Sequence, residues 1–371
     1  MFGLAKYFVG HGLAVEFVVT DQPGEWYGRA AEFGPAFILP GRGSAWPPAH
    51  SLRVGRLLAS RDYDLVLLNH SRYAQAALGM LPDHTAAVPI LHNHREHVYR
   101  VACANSSAWN ALAGVSPVVC EEARRRLPDR PVRYIPNGIE TPPAAALRGR
   151  RPWQPELVAA FVGRVTQEQK GVFLLPEIVR GCRDRGIALR LRVAGDGPDL
   201  DELRRRTREA GLTGQVEFLG LLALDRVRSL LLDSHLLLMP SFYEGLPIVA
   251  LEAQAAGCVP VASLLPGNTD AAIAPGETGL LPEPGRAEGF VAGVAELARS
   301  SETWARMSAA GQARVAEKFS VAAMGASYLG LFEEIRAGRH PLPRRRGRCR
   351  WLDLSLFSKR EMVPWLSRSS L

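Results

Sequence analysis

The residues best suited to chemistry lie in Glu244-Gly-Leu-Pro-Ile-Val-Ala-Leu-Glu252, with Pro240-Ser-Phe-Tyr243 directly in front. Pro247 suits the first turn of a helix, so Glu244 falls in a loop and Glu252 inside the helix that follows. The helix start and Glu252 can then line one pocket. Backbone N–H groups at the Gly245–Leu246 approach to the helix favour an anion there. Taken singly, Glu252 reads as a helix-surface charge and Glu244 as a loop charge; the surrounding pattern is what argues for a site.

Two further groups share this half of the chain. In Phe161-Val-Gly-Arg164, Gly163 closes a strand, and Arg164 and Lys170 project from the loop beyond it. Arg supplies a planar fork for phosphate oxygens and Lys a compact charge, a pair suited to a diphosphate. Without a partner motif they are two solvated cations. Gly195-Asp-Gly-Pro198 also follows a strand, where glycine lets a ligand approach the backbone, although many strand-to-helix turns look the same.

These groups need a frame that holds strand ends together. The second half supplies strands at Leu157–Val162, Leu189–Ala194, Val216–Leu219, Leu236–Met239 and Val259–Ala262, with helices around 173–185, 199–210 and 225–232. The first half alternates in the same way, with strands at Val15–Val19, Asp64–Leu68, Val88–Leu91 and Val132–Ile135, and helices at 52–60 and 121–127. Alternation of this kind implies βαβ units and parallel sheets, hence an α/β chain of two Rossmann-like domains facing a central cleft. The expected division is 1–150, 151–338 with its closing helices at 288–299, 303–319 and 321–336, and a basic tail at 339–371.

Composition narrows the classes. Hydrophobic residues make up 47% and charged residues 22% of 371, enough for two cores and too apolar for a disordered chain. No apolar run reaches the roughly 18–20 residues of a membrane span. The start lacks the charged region and cleavage site of a secretion signal. Five scattered cysteines (103, 120, 182, 258 and 349) show neither disulfide nor zinc spacing and fit a reducing, cytoplasmic setting. The net charge of +8 is mostly in the tail, where nine basic residues face two acids, so no nucleic-acid-binding body is expected.

Together with Asn137-Gly-Ile-Glu140, these motifs in this order resemble the family-4 (group 1) retaining glycosyltransferases of the GT-B fold. The resemblance runs over most of residues 3–336 and includes Val193–Pro198, Val216–Gly220, Glu252-Ala253 and Gly257–Val261. It implies transfer of a sugar from a nucleoside diphosphate sugar held mainly by the later domain, with retention of configuration. The donor is itself the substrate, and no cofactor is implied. Arg164 and Lys170 would bind the diphosphate, Glu252 the ribose hydroxyls, and Glu244 with Gly245 and Leu246 the transferred sugar. Phe218 and Leu219 would border the base, and Gly195 and Gly197 would let the donor approach the backbone. With no Asp-x-Asp triplet, metal independence is expected, the cations taking that electrostatic part. In the first half, Pro89-Ile-Leu-His92-Asn-His94 resembles the family's His-containing loop. His92 is the candidate to touch sugar or acceptor, with His94 second and Arg95 and His97 nearby. A glycan, a lipid-linked sugar or a small molecule would be the acceptor.

One departure stands out. Family members open with a strand and a glycine-rich loop, whereas this sequence starts inside the first helix and leads straight to Val15–Val19. A central strand would then lie upstream of Met1 or be replaced by another segment, and a protein starting at Met1 is expected to fold poorly or to be inactive. The tail, with Arg344–Arg350, Trp351 and Trp365, reads either as a solubilising extension or as peripheral contact with an anionic membrane. Two other functions fit the frame: a nucleotide-sugar epimerase, active on donor alone, and a sugar-nucleotide-binding protein without turnover.

Overall fold

The computed structural model describes residues 2–21, 27–39, 47–149, 151–154, 156–340 and Leu356. The chain divides into two compact units, Met1–Gly138 with Met324–Leu371, and Ile139–Ala323. The passage between them falls at Gly138–Ile139. The last long helix, Val321–Arg336, counts with the first unit from Met324 onward.

In the first unit the strands are β1 (Phe17–Val19), β2 (Ala36–Ile38), β3 (Leu65–Leu68), β4 (Ala86–Leu91), β5 (Leu112–Gly114) and β6 (Val132–Tyr134). All pair in parallel, but in two groups, β1-β2 and β3-β4-β5-β6. No described strand joins β1 to β3. Side chains tie them instead: the Tyr63 hydroxyl donates to Glu16 Oε2 at 2.5 Å, and the Thr20 and Ser71 hydroxyls lie 2.6 Å apart. β4 is buried along its whole length, as a strand covered on both faces should be. The helix Phe2–Gly10 sets Phe2 against Phe17 and Phe33 and Phe8 against Phe332. Gly325 admits the Tyr7 ring so closely that a Cβ there would sit 2.1 Å from Tyr7 Cδ1.

The second unit carries β7 (Leu157–Val162), β8 (Leu189–Ala194), β9 (Val216–Gly220), β10 (Leu236–Met239) and β11 (Val259–Ala262) in the order β11-β10-β7-β8-β9, all parallel. β7 is the middle strand, and its run of six apolar residues matches burial on both faces. β8 alternates, with Leu189, Leu191 and Val193 in the core and Arg190 and Arg192 on the other face. After β9 the chain returns to the opposite side of β7, so strand order reverses between β7 and β10. Ligands of open α/β sheets gather outside the carboxyl ends of strands at such a reversal.

Backbone contacts weld the strand ends. Gly163 N donates to Ala194 O, Val165 N to Asp196 O and Gly195 N to Gly220 O. Gly195 has φ +145°, and a Cβ there would lie 1.9 Å from Gly163 O. Gly195→Ala is therefore expected to lower the denaturation midpoint, at a cost of about 3 kcal/mol or more, since neither backbone can yield.

The tail lies outside the described residues except for Arg339, His340 and Leu356, so the membrane expectation falls there too. Leu356 is buried in the core cluster of the first unit. Among the described residues, no helix is long and apolar enough to cross a membrane.

Candidate functional site

The reversal in strand order brings together two loops far apart in sequence. The loop after β7 carries Arg164, the short helix Gln167–Lys170 and Gly171; the loop after β10 carries Ser241, Phe242, Glu244, Gly245 and Leu246. Phe242 N donates to Gln169 O at 2.8 Å. Gly171, at φ +59°, lies so close to the Pro240 carbonyl that a Cβ would reach within 2.1 Å of its oxygen. Asp199 Oδ2 accepts from Gln167 N at 2.7 Å and holds the start of the short helix.

Between these loops Lys170 Nζ donates to Glu244 Oε1 at 2.6 Å, with side-chain exposures of 15% and 8%. The Ser241 hydroxyl donates to the same oxygen at 2.7 Å. So little water leaves both charges dependent on each other: removing either partner from such a pair typically costs about 3–5 kcal/mol. Sequence reasoning placed Lys170 on the diphosphate and Glu244 on the sugar; the structure bonds them to each other. Ser241 was missed as a participant, although its Pro-Ser dipeptide stands at the end of β10.

Arg164 is exposed and makes no hydrogen bond or ion pair among the described residues. It is the uncompensated cation of this loop pair. Leu246 is buried and Gly245 half-buried at the approach to the helix Ile248–Ala255, where Pro247 takes the N-cap position without a side-chain cap. Orphan N–H groups at such a start are available to an anion. Gly195 and Gly197 lie in the loop after β8, and the backbone each approaches is the chain's own, at Gly163 and Val165. Phe218 and Leu219 are half-buried in β9, with the Arg204 guanidinium 5.6 Å from the Phe218 ring centre.

Glu252 has other neighbours. It lines a small hollow with Glu140, Pro142, Arg228 and Leu231, and Arg228 Nη2 donates to Glu140 Oε2 at 2.8 Å. Burial holds the Glu252 carboxyl above the usual carboxylate range, and Arg228 opposes that shift. No bond joins Glu252 to the Lys170–Glu244 pair. Arg228 had no signal in the sequence; Glu140 did, as the end of Asn137-Gly-Ile-Glu140.

His92 belongs to the first unit, where it follows β4. Its Nε2 bonds Asn69 Oδ1 beyond the end of β3. Burial, with a smaller contribution from His70, brings its pKa down to about 4, so at neutral pH the ring is uncharged. A His pKa depressed on folding adds stability above the unfolded value, and that stability fades as pH falls through the folded one. The thermal midpoint is therefore expected to drop between about pH 6.5 and pH 4, and His92→Asn to flatten that part of the curve. His94 bonds the hydroxyl of Tyr99 in its own loop and helix at 2.8 Å.

Comparison with known proteins identifies the family. The family described as glycosyl transferases group 1 matches residues 147–314, and glycosyltransferase family 4 matches residues 1–142, so the two together cover well over half of the chain. A D-inositol 3-phosphate glycosyltransferase of Rhodococcus erythropolis is 35% identical over 173 residues, 44% of this chain and 38% of that protein. A 2-deoxystreptamine glucosyltransferase of Streptomyces kanamyceticus is 33% identical over 182 residues, 48% of this chain and 45% of that one. The matched region thus spans less than half the length of either relative. In fold, the chain is similar to Anabaena HepE in complex with UDP, with TM-score 0.73 at 17% identity over 90% of this chain and 96% of that one. A sucrose-phosphate synthase from Thermosynechococcus elongatus gives TM-score 0.71 at 20% identity, covering 90% and 93%. The fold is GT-B, and the chain belongs to the group 1 glycosyltransferases.

Proposed function

We propose that this protein transfers a sugar from a nucleoside diphosphate sugar to an acceptor hydroxyl, with retention of configuration and without a metal ion. The observation that carries the reading is the placing of Arg164 and the Lys170–Glu244–Ser241 group on adjacent loops at the strand-order reversal, beside a helix start. When the anomeric C–O bond breaks, its electron pair goes to the diphosphate oxygen, and positive charge develops on the sugar. Cations already fixed beside that oxygen lower the barrier. The acceptor oxygen bonds the anomeric carbon on the face the diphosphate leaves, and its proton passes to the departing phosphate; this route needs no protein nucleophile. Glu252, in its hollow with Glu140 and Arg228, suits the ribose hydroxyls, and Phe218 with Leu219 the base. His92, uncharged, suits a hydroxyl of sugar or acceptor.

HepE has been crystallised with UDP-glucose, and the two curated relatives are transferases by name, which supports a nucleotide-sugar donor and does not favour the epimerase alternative. The test is a thermal-shift screen of nucleotide sugars followed by product analysis with the best donor. Transfer that persists in EDTA, with the donor's anomeric configuration kept in the product, is the expected result. Conversion of the donor sugar without any acceptor would favour the epimerase, and binding without turnover a non-catalytic role.

A further inference from the structure

Lys170 closes the helix Gln167–Lys170, whose four residues are far fewer than a helix needs to persist in water alone. Its hold must come from outside. At its end, Gly171 is lodged against the Pro240 carbonyl, and Phe242 N donates to Gln169 O. At its start, the N-cap residue Thr166 makes no side-chain cap bond. The Gln167 N–H goes instead to Asp199 Oδ2 at 2.7 Å, and Gln167 Oε1 in turn accepts from Phe173 N at 2.9 Å.

Asp199 has another use for that carboxylate close by. It stands at the N-cap of the helix Leu200–Glu209. Aspartate is favoured at such a position because its oxygen can accept from the second or third N–H of its own helix. No such bond is made. The backbone keeps the two loops in register: Val165 N donates to Asp196 O at 2.9 Å and Asp199 N to Val165 O at 3.2 Å. A Cβ on Gly197 would lie 2.2 Å from Val165 O, so glycine there is what lets the loops meet. An aspartate that leaves its own helix uncapped and caps a neighbouring turn forgoes local stability. Departures of this kind are expected where function sets the geometry.

We propose that Asp199 is a positioning residue of the transfer reaction, fixing through Gln167 the turn that holds Lys170 ready for the leaving diphosphate. Lys170 Nζ must meet the diphosphate oxygen as its charge grows, and a fixed cation serves that step better than a wandering one. The part in transfer rests on the transferase reading above; the hold on the turn does not.

The test compares Asp199→Ala and Asp199→Asn in the full chain by steady-state assay with the preferred donor and by amide hydrogen exchange without ligand. Asp199→Ala is expected to lower kcat by about tenfold or more with KM changed by less than about threefold. Asp199→Asn, which keeps an acceptor for Gln167 N, is expected to restore most of the rate. In the ligand-free alanine variant, the Lys170 and Gly171 amides, bonded to Thr166 O and Gln167 O, should exchange faster while those of β7 and β8 do not. In a Lys170→Gln background, Asp199→Ala should cost no further activity, because the residue it positions is already gone. A lower thermal midpoint with kcat unchanged would make Asp199 merely structural and overturn the proposal. So would a full additional loss in the Lys170→Gln background, or alanine and asparagine variants equally impaired. Should wild type turn over no nucleotide sugar, the transferase reading falls, and exchange at Lys170 and Gly171 alone decides whether Asp199 sets the turn.

Discussion

Arg164→Ala is expected to weaken binding of a nucleoside diphosphate about ten- to a hundredfold and to lower kcat by about 10²–10³. The residue is exposed and bonded to nothing among the described residues, so its loss leaves the folded protein unchanged. It is also the one cation of the loop pair whose charge is not already answered by an acid. Both the ground-state diphosphate and the growing charge on the leaving group then lose the same partner, and Kd and kcat suffer together. Titration calorimetry with UDP and a steady-state assay with the preferred donor read the two quantities. Wild-type turnover in Arg164→Ala would remove the diphosphate from this loop.

Glu244→Gln is expected to divide the two quantities. Glutamine keeps an oxygen for Lys170 Nζ and Ser241 Oγ but removes the negative charge from a pair with little solvent around it. Lys170 then presents a full positive charge to the diphosphate. At about 7 Å and an effective dielectric near 20, a unit charge is worth about 2 kcal/mol, so nucleotide affinity should rise by about tenfold or more. Turnover should fall by about 10²–10³, because the carboxylate no longer balances the charge that builds on the sugar. Glu244→Ala gives a less clean result, since it also strands a dehydrated ammonium and invites local unfolding. Equal losses in affinity and kcat for Glu244→Gln would mean that the carboxylate serves only to hold Lys170 in place.

Much of the second unit was legible because its strands are short apolar runs closed by glycine or a turn. β7, β8, β10 and β11 begin and end where the pattern says. β2 gave no such signal: Ala36–Ile38, two half-buried residues and an exposed one, become a strand only through their pairing with β1. The helix Pro47–Ala59 starts earlier than the expected 52–60 because its two prolines suit a first helical turn. The candidate loops were found as motifs, but the bond between Lys170 and Glu244 was not. It depends on β10 lying next to β7, a neighbour relation that no spacing along the chain encodes. Gly195 and Gly197 were visible as glycines, while the reason for them, a carbonyl arriving from a neighbouring loop, is a tertiary fact.

The return of the helix from Met324 onward to the first unit bears on how the molecule is made. Tyr7 and Phe8 leave the ribosome well ahead of their partners at Gly325 and Phe332. The intervening 139–323 has a continuous sequence and its own sheet, so it can close during synthesis while the opening segment waits with apolar surface uncovered. The unit translated first is the one completed last.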